Sequence, residues 1–334
     1  MSGLRNAFCA AAVAAVLTAA ASSGWQPDVL GPGFEMRYVD QGTDYSGPVR
    51  STVVRLRSDS PSGRGVLYVH GFNDYFFQDE MARRFADRGY DFYAVDMRKY
   101  GRSLLEGQTP FQVHDMKEYF ADIDSAIAVM KADGIDDIVL MGHSTGGLTT
   151  SLYMAEQPDE AVKAMVLNSP FLDWNQSSFQ EKILIPAVAT VSPLIKGMKI
   201  PQGASTGYSH SLMKEYGGEW TFNTDWKFEQ SPAVEASWIA AIDNGHARVQ
   251  NYPKINVPIL LMHSDSTVTS HDGPEAYSRK DAVLDVADIS RYGRRLGCDV
   301  TEFTVRGGLH DLVLSRPEVR NPLFDSIFSW LSAH

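Results

Sequence analysis

The sequence predicts an α/β protein: a mostly parallel, eight-stranded sheet with helices on both faces and one long insertion. Three observations carry this. Short apolar runs alternate with segments of helical spacing, the pattern of strands joined by crossover helices. One passage, residues 137–155, turns from strand to helix through a tight glycine-rich corner. Between residues 173 and 252 the alternation stops, and beyond it resumes.

Taken in order, Trp25–Gly33 is an extended, turn-rich entry. Phe34–Val39 and Thr52–Arg57 alternate as an antiparallel pair joined by a turn over Gly42–Pro48. Val66–Val69 and Phe92–Val95 are buried strands, separated by helical spacing over Gln78–Arg88 that ends at Gly89. Asp115–Lys131 places Tyr119, Ile123, Ala126, Ile127 and Met130 on one helical face and stops at Gly134. Ile138–Met141 is the next strand, and the helix opening at Leu148 ends before Pro158. Ala164–Leu167, Pro258–His263 and Val300–Val305 complete the sheet. Val286–Leu296 is a helix with Asp285 as N-cap and Gly297 as stop, and Asn321–Leu331 closes the chain.

The insertion, residues 173–252, is rich in large aromatics: Trp174, Phe179, Trp220, Phe222, Trp226, Phe228 and Trp238. It also carries helix candidates at Ile183–Val191 and Ala233–Ile242. An insertion of this length between sheet strands usually serves function. It is expected to form a cap, with most of its rings packing the cap onto the core.

The corner itself reads Gly142-His143-Ser144-Thr145-Gly146. Gly-x-Ser-x-Gly between a strand and a helix makes a nucleophile elbow, in which the serine sits in strained backbone and its hydroxyl stands clear of the sheet. A serine proton needs a base, and a base needs an acid to orient it. His310 follows the last strand in a glycine-rich loop, at the carboxyl ends of the strands where reactive groups gather in such folds. His70-Gly71-Phe72 follows a strand that precedes the elbow, which makes the main-chain N–H groups of Phe72 and Thr145 the expected oxyanion hole. His70 is expected to hold a turn and His143 to pack or face the cap. No His/Cys/Asp cluster has metal spacing, and no phosphate-binding glycine loop is present.

A net charge of −11 argues against nucleic acid as a partner, because phosphate binding needs clustered Lys and Arg. Residues 1–24 set Arg5 ahead of the apolar run Ala7–Leu17 and the small residues Thr18–Ser22, the layout of a secretory signal peptide too short to span a membrane. Export to the periplasm or the medium is therefore expected, with no transmembrane anchor in the mature protein. Cleavage would leave Cys298 as the sole cysteine.

Four motifs together resemble the α/β-hydrolase superfamily, in the branch of monoacylglycerol lipases, serine aminopeptidases and lysophospholipases. They are His70-Gly71-Phe72, Asp96-x-Arg98-x-x-Gly101-x-Ser103, the elbow, and Gly308-Leu309-His310-Asp311. The resemblance implies the α/β-hydrolase fold, cleavage of carboxylic esters, often of mono-acylated lipids, and no cofactor or metal. Its order Ser, acid, His leaves the acid open between two residues. Asp265 lies nearer the end of its strand. Asp281, in Asp281-Ala282-Val283-Leu284-Asp285, has the family-like context, one helix and one strand before His310. Asp281 is preferred, with Asp265 as the alternative.

The expected reaction is hydrolysis of an acyl-lipid or other apolar ester by Ser144, His310 and Asp281. An aminopeptidase or amidase on the same scaffold would need an acidic group for a substrate amine, with Glu219, Asp225, Glu229 and Glu235 as candidates. A non-catalytic protein that holds an apolar ligand would have no need of the Ser144–His310 pair. Dehalogenases and epoxide hydrolases place aspartate at the elbow, which disfavours both.

Overall fold

The computed structural model describes residues 24–175, 184–195, 197–203, 205–251 and 254–334. The proposed leader (residues 1–23 of it), Phe179, Ile183 and Tyr252 lie outside these.

Where side chains alternate in polarity the chain forms the antiparallel margin of the sheet. Where they are continuously apolar it forms the parallel centre. The margin comprises β1 (Gln26–Pro27), β2 (Phe34–Asp44) and β3 (Gly47–Leu56). The centre is β4 (Arg64–Val69), β5 (Asp91–Asp96), β6 (Asp137–His143), β7 (Val162–Asn168), β10 (Ile259–Ser264) and β11 (Val300–Val305). The spatial order is β1-β2-β3-β5-β4-β6-β7-β10-β11. These are the eight expected strands with the two-residue β1 added at the edge. A separate pair, β8 (Lys199–Ile200) and β9 (Val234–Glu235), belongs to the insertion.

Period-two alternation in the central strands feeds two cores. Leu67, Val69, Tyr93, Leu140, Met165 and Leu261 face one side, against α2 (Phe120–Ala132), α3 (Thr145–Glu156) and α7 (Val286–Gly293). Val66, Tyr68, Phe92, Val139, Met141 and Met262 face the other, against α1 (Asp79–Ala86) and α8 (Pro317–Ala333). The helix expected from Asp115 begins as a 3₁₀ turn at Met116–Tyr119. Asp115 caps it by accepting from Lys117 N, and Glu118 reaches back to Asp115 N. Asp285 caps α7 as expected, accepting from Ala287 N at 2.9 Å. That helix stops at Gly293 rather than running to Gly297. The Leu296 carbonyl is taken by Ile255 N, which draws the following residues into a bridge between Ile255 and Gly297.

The insertion carries α4 (Ile185–Ile195), α5 (Gly207–Leu212) and α6 (Ala236–Asn251). Its aromatics divide. Trp220, Phe222 and Trp226 pack against the core on the α1/α8 side, with Trp220 Nε1 donating to the Leu314 carbonyl. Trp174, Phe228 and Trp238 pack on the opposite core and line a cavity beside Ser144. Among the described residues no helix is long and apolar enough to cross a membrane.

Candidate active site

β6 delivers Ser144 at the start of α3 with φ 53° and ψ −119°, a region that side-chain-bearing residues rarely adopt. The turn closes only because its flanking residues lack side chains. A Cβ on Gly142 would stand 2.5 Å from Thr150 Oγ1, and one on Gly146 would run into the carbonyl oxygens of Val69 and His70. The elbow is thus pressed against the end of β4. Gly71 follows there, so close that a Cβ on it would lie 3.0 Å from Ser144 Cβ. This sets the chain just ahead of Phe72 against Ser144, and the next residue, Thr145, opens α3 with an N–H that has no acceptor one turn earlier in the helix.

His310 reaches the elbow from the loop after β11. Its Nε2 lies 3.0 Å from Ser144 Oγ, and its Nδ1 lies 2.9 Å from Asp281 Oδ2. All three side chains are buried. The second Asp281 oxygen accepts from Val283 N and Leu284 N, both at 2.8 Å, which fixes the carboxylate plane toward His310. Asp281 lies far along the chain from the end of β10, yet Thr267 and Asp281 are paired as in a parallel ladder. Val268 N donates to Asp281 O, and Asp281 N donates to Ser266 O. The loop 268–280 therefore leaves the strand end and returns the acid to it. Asp265 is directed elsewhere: it is exposed and accepts from Gly307 N at 3.0 Å. The geometry joins Asp281 to His310 and gives Asp265 the role of a turn cap.

His70 holds a turn. Met97 N donates to its Nε2 and its Nδ1–H donates to the Gly71 carbonyl, so the ring is fixed as one neutral tautomer. Asp96 accepts from Phe76 N and Arg102 N, and Arg98 is clamped on buried Asp122. The Asp96–Ser103 motif thus secures the loop that backs His70. His143 faces the cavity, 4.8 Å between ring centres from His310, with Nδ1 donating to the Asn168 carbonyl. Burial lowers its pKa and keeps it neutral.

Asp74, His143 and Asp311, scattered in the sequence, come together with ligand-type atoms within 4.8 Å of one another. Lys227 already supplies a positive charge there, its Nζ 3.1 Å from Asp74 Oδ1. The Asp311 oxygens accept from the amides of Asn168 and Gln78. Asn168, Gln78 and Tyr208 escaped the sequence reading. Their only signal was that polar residues stood at a strand end or beside buried runs.

The cavity of about 320 Å³ has two characters. Phe72, Phe171, Trp174, Phe228 and Trp238 make an aromatic wall; Asn73, Asp74, Tyr208, Lys227 and Glu229 make a polar one. Phe72 packs on Trp238 at 4.7 Å and Trp174 on Phe171 at 5.2 Å between ring centres.

A crossover sheet with a serine elbow at the end of its central strand and a histidine beyond the last strand defines an α/β-hydrolase. Residues 61–315 match the model of the serine aminopeptidase family S33, and the chain belongs to that family. Its fold is shared with a soluble variant of monoglyceride lipase from Saccharomyces cerevisiae, crystallised with a substrate analogue (TM-score 0.64, 16% identity, covering 90% of this chain and 96% of that one). It is also shared with the monoacylglycerol lipase of Paleococcus ferrophilus (TM-score 0.63, 19% identity, 84% and 99% covered). In sequence, a non-heme haloperoxidase of Rhodococcus erythropolis is 36% identical over 113 residues, 33% of this chain. That match spans only 38% of the relative's length.

Proposed function

We propose that the protein is a serine hydrolase of carboxylic esters whose substrate is an acyl lipid or another apolar ester. The observation that carries this reading is the buried line Ser144 Oγ, His310 Nε2, His310 Nδ1, Asp281 Oδ2, with both contacts at hydrogen-bond length. His310 removes the Ser144 proton as Oγ attacks the acyl carbonyl. The N–H groups of Phe72 and Thr145 receive the negative oxygen of the tetrahedral intermediate. On collapse His310 returns the proton to the departing alcohol, and water attacks the acyl-serine by the same route in reverse. Asp281 holds the Nδ1–H tautomer and offsets the imidazolium charge. No cofactor enters this scheme. The aromatic wall favours an apolar acyl group, each methylene buried there contributing about 0.8 kcal/mol.

An aminopeptidase or amidase reading has one observation in its favour. Of the four insertion carboxylates named from the sequence, Glu229 lines the cavity, with His210 Nε2 3.2 Å from its Oε2; Asp225 is exposed and does not line it, Glu219 pairs with Arg320 and Glu235 with Lys199. A panel of p-nitrophenyl esters of rising chain length, run beside amino-acid nitroanilides, separates the two. Turnover of esters alone supports the esterase, and preference for nitroanilides overturns it. Reaction of Ser144 with a fluorophosphonate probe separates both from a non-catalytic apolar-ligand binder. From the leader composition we also infer export, to the periplasm or the medium, and from the net charge of −11 we infer no nucleic-acid partner.

A further inference from the structure

We propose that Asn168 and Asp311 form a positioning pair that sets the separation of Ser144 from His310. The proposal rests on the reading of Ser144 and His310 as nucleophile and base. Asn168 is the last residue of β7 and fully buried. Its carbonyl accepts from Ser144 N at 3.1 Å and from His143 Nδ1 at 3.1 Å, so its main chain holds the elbow. Its side chain reaches the opposite way. Nδ2 donates to Asp311 Oδ1 at 2.7 Å, and Oδ1 accepts from Leu312 N at 3.1 Å, so it also holds the loop that bears His310. A single residue therefore fastens both halves of the reacting pair to one strand end.

Asp311 takes the load from the other side. It is 1% exposed and does not line the cavity, so it acts through its neighbour His310 and not on substrate. Its second oxygen accepts from Gln78 Nε2 at 3.0 Å, and Gln78 is itself pinned because its Oε1 accepts from Phe77 N. The Asp311 N–H donates to the hydroxyl of Tyr208, a residue of the insertion, at 3.2 Å. Among the described residues its carboxylate has no ion-pair partner. A buried carboxylate hydrogen-bonded by neutral amides, with Asp74 and His143 also within 4.8 Å, is costly to keep, and the convergence explains why it is kept. Two NH₂ donors, from Asn168 and Gln78, point at one side chain. Only a group with two acceptor oxygens satisfies both, since an amide would set its own donor against one of them. The loop is thereby held from β7, from the segment before α1 and from the insertion at once. A displacement of about 1 Å at His310 is enough to cost about 100-fold in rate.

The test is an exchange. Asp311→Asn alone leaves one donor facing a donor, and Asn168→Asp alone sets two carboxylates face to face. With both made together every bond re-forms: the new amide at 311 donates to the new carboxylate at 168 and accepts from Gln78, while Leu312 N keeps an acceptor. Each protein is checked by circular dichroism and melting, then assayed for p-nitrophenyl ester turnover and for the rate of fluorophosphonate labelling. Each single variant is expected to lose about 10- to 100-fold in kcat and in labelling rate, with KM within about twofold. The exchange is expected to recover at least tenfold over the poorer single. A folded exchange variant no faster than the singles, or an Asp311→Asn protein with wild-type kcat, overturns the proposal. If Asn168→Asp does not fold, Asp311→Asn is compared with Asp311→Asn plus Gln78→Met. Removing the Gln78 donor frees the new oxygen for Asn168, so the double variant should be faster, and equal rates overturn the proposal. A wild-type chain that neither turns over esters nor labels overturns the hydrolase reading itself, whereas an active wild type confines any failure to the positioning pair.

Discussion

Replacing Asp281 and Asp265 in turn by asparagine separates the triad acid from a turn cap. Asp281 meets His310 Nδ1 with one oxygen and two main-chain N–H groups with the other. In Asp281→Asn the amide oxygen stays with Val283 N and Leu284 N, because its NH₂ end cannot accept from them. The NH₂ end then faces His310 Nδ1 and donates to it. His310 must carry its proton on Nε2, where it points at Ser144 Oγ and can no longer accept the serine proton. The loss is one of tautomer, not of fold, and equals on the order of 10⁴ in kcat, the size seen for the same change in serine proteases. Asp265 is exposed and accepts one hydrogen bond from Gly307 N, so Asp265→Asn should cost under about 1 kcal/mol of stability and leave kcat within about twofold. Both variants are assayed on one p-nitrophenyl ester, with circular dichroism and melting as controls. If Asp265→Asn is the inactive protein, or if folded Asp281→Asn turns over near the wild-type rate, the tautomer argument fails.

Ser144→Ala removes only a hydroxyl and should lower kcat by several orders of magnitude with an unchanged melting temperature; activity above a small residue in a clean preparation would exclude Ser144 as nucleophile. Across straight-chain esters from acetate to decanoate, kcat/KM should rise and then fall as the aromatic wall fills, and a flat profile would point to a small or polar acyl group. Burial pushes the His246 pKa down to about 3, so this side chain is neutral in the fold but takes a proton when unfolded below about pH 6.5. Its contribution is full above that pH and falls toward pH 3, by at most about 1.4 kcal/mol per pH unit. His246→Gln should therefore gain stability relative to wild type between pH 7 and 5 in denaturant titrations, and a constant difference would refute the linkage. Mass spectrometry of protein from its native host should find an N-terminus near Ser22, and an intact Met1 in the cytoplasm would remove the export proposal.

What could be read from the sequence was whatever local periodicity or a contiguous motif encodes. The eight main strands and the elbow follow from runs such as Ile138–Met141 and from Gly142–Gly146, because a sheet buried on both faces and a sterically forced turn each leave a local signature. The helix after Asp285 was legible through its cap, but its end was not. Beyond Gly293 the chain tightens into turns, Arg295 N bonding to Tyr292 O and Leu296 N to Gly293 O, and Gly297 is then bridged to the distant Ile255. Asn168 and Asp311 illustrate the same limit within the site. Asp311 was legible only as part of the motif around His310 and Asn168 was not legible at all, because their joint importance arises from a hydrogen bond between residues 143 positions apart. Asp74 and His143 likewise become neighbours only through the crossover order of the strands.

The loop 268–280 explains why the acid was hard to place, and it gives the detour a physical sense. Closing a longer loop adds little entropy, about 0.6 kcal/mol per doubling of length, so an insertion before the acid is cheap provided the strand end is recovered. The pairing of Thr267 with Asp281 recovers it, and the two main-chain hydrogen bonds there return the carboxylate to the place a residue just after β10 would occupy. The detour also has a second contact. Tyr277 in that loop lies against Gly207 and lines the cavity, and its carbonyl accepts from Ser211 Oγ of α5. Tyr208, on the same helix, stacks edge-on against His310 at 5.7 Å and binds the Asp311 N–H. The segment that carries the acid and the segment that touches the base therefore meet on one short insertion helix. Substitutions on α5 that never touch substrate should accordingly be felt at both His310 contacts, and that coupling follows from the loop's detour, since an acid placed directly after β10 would leave α5 with only one of them.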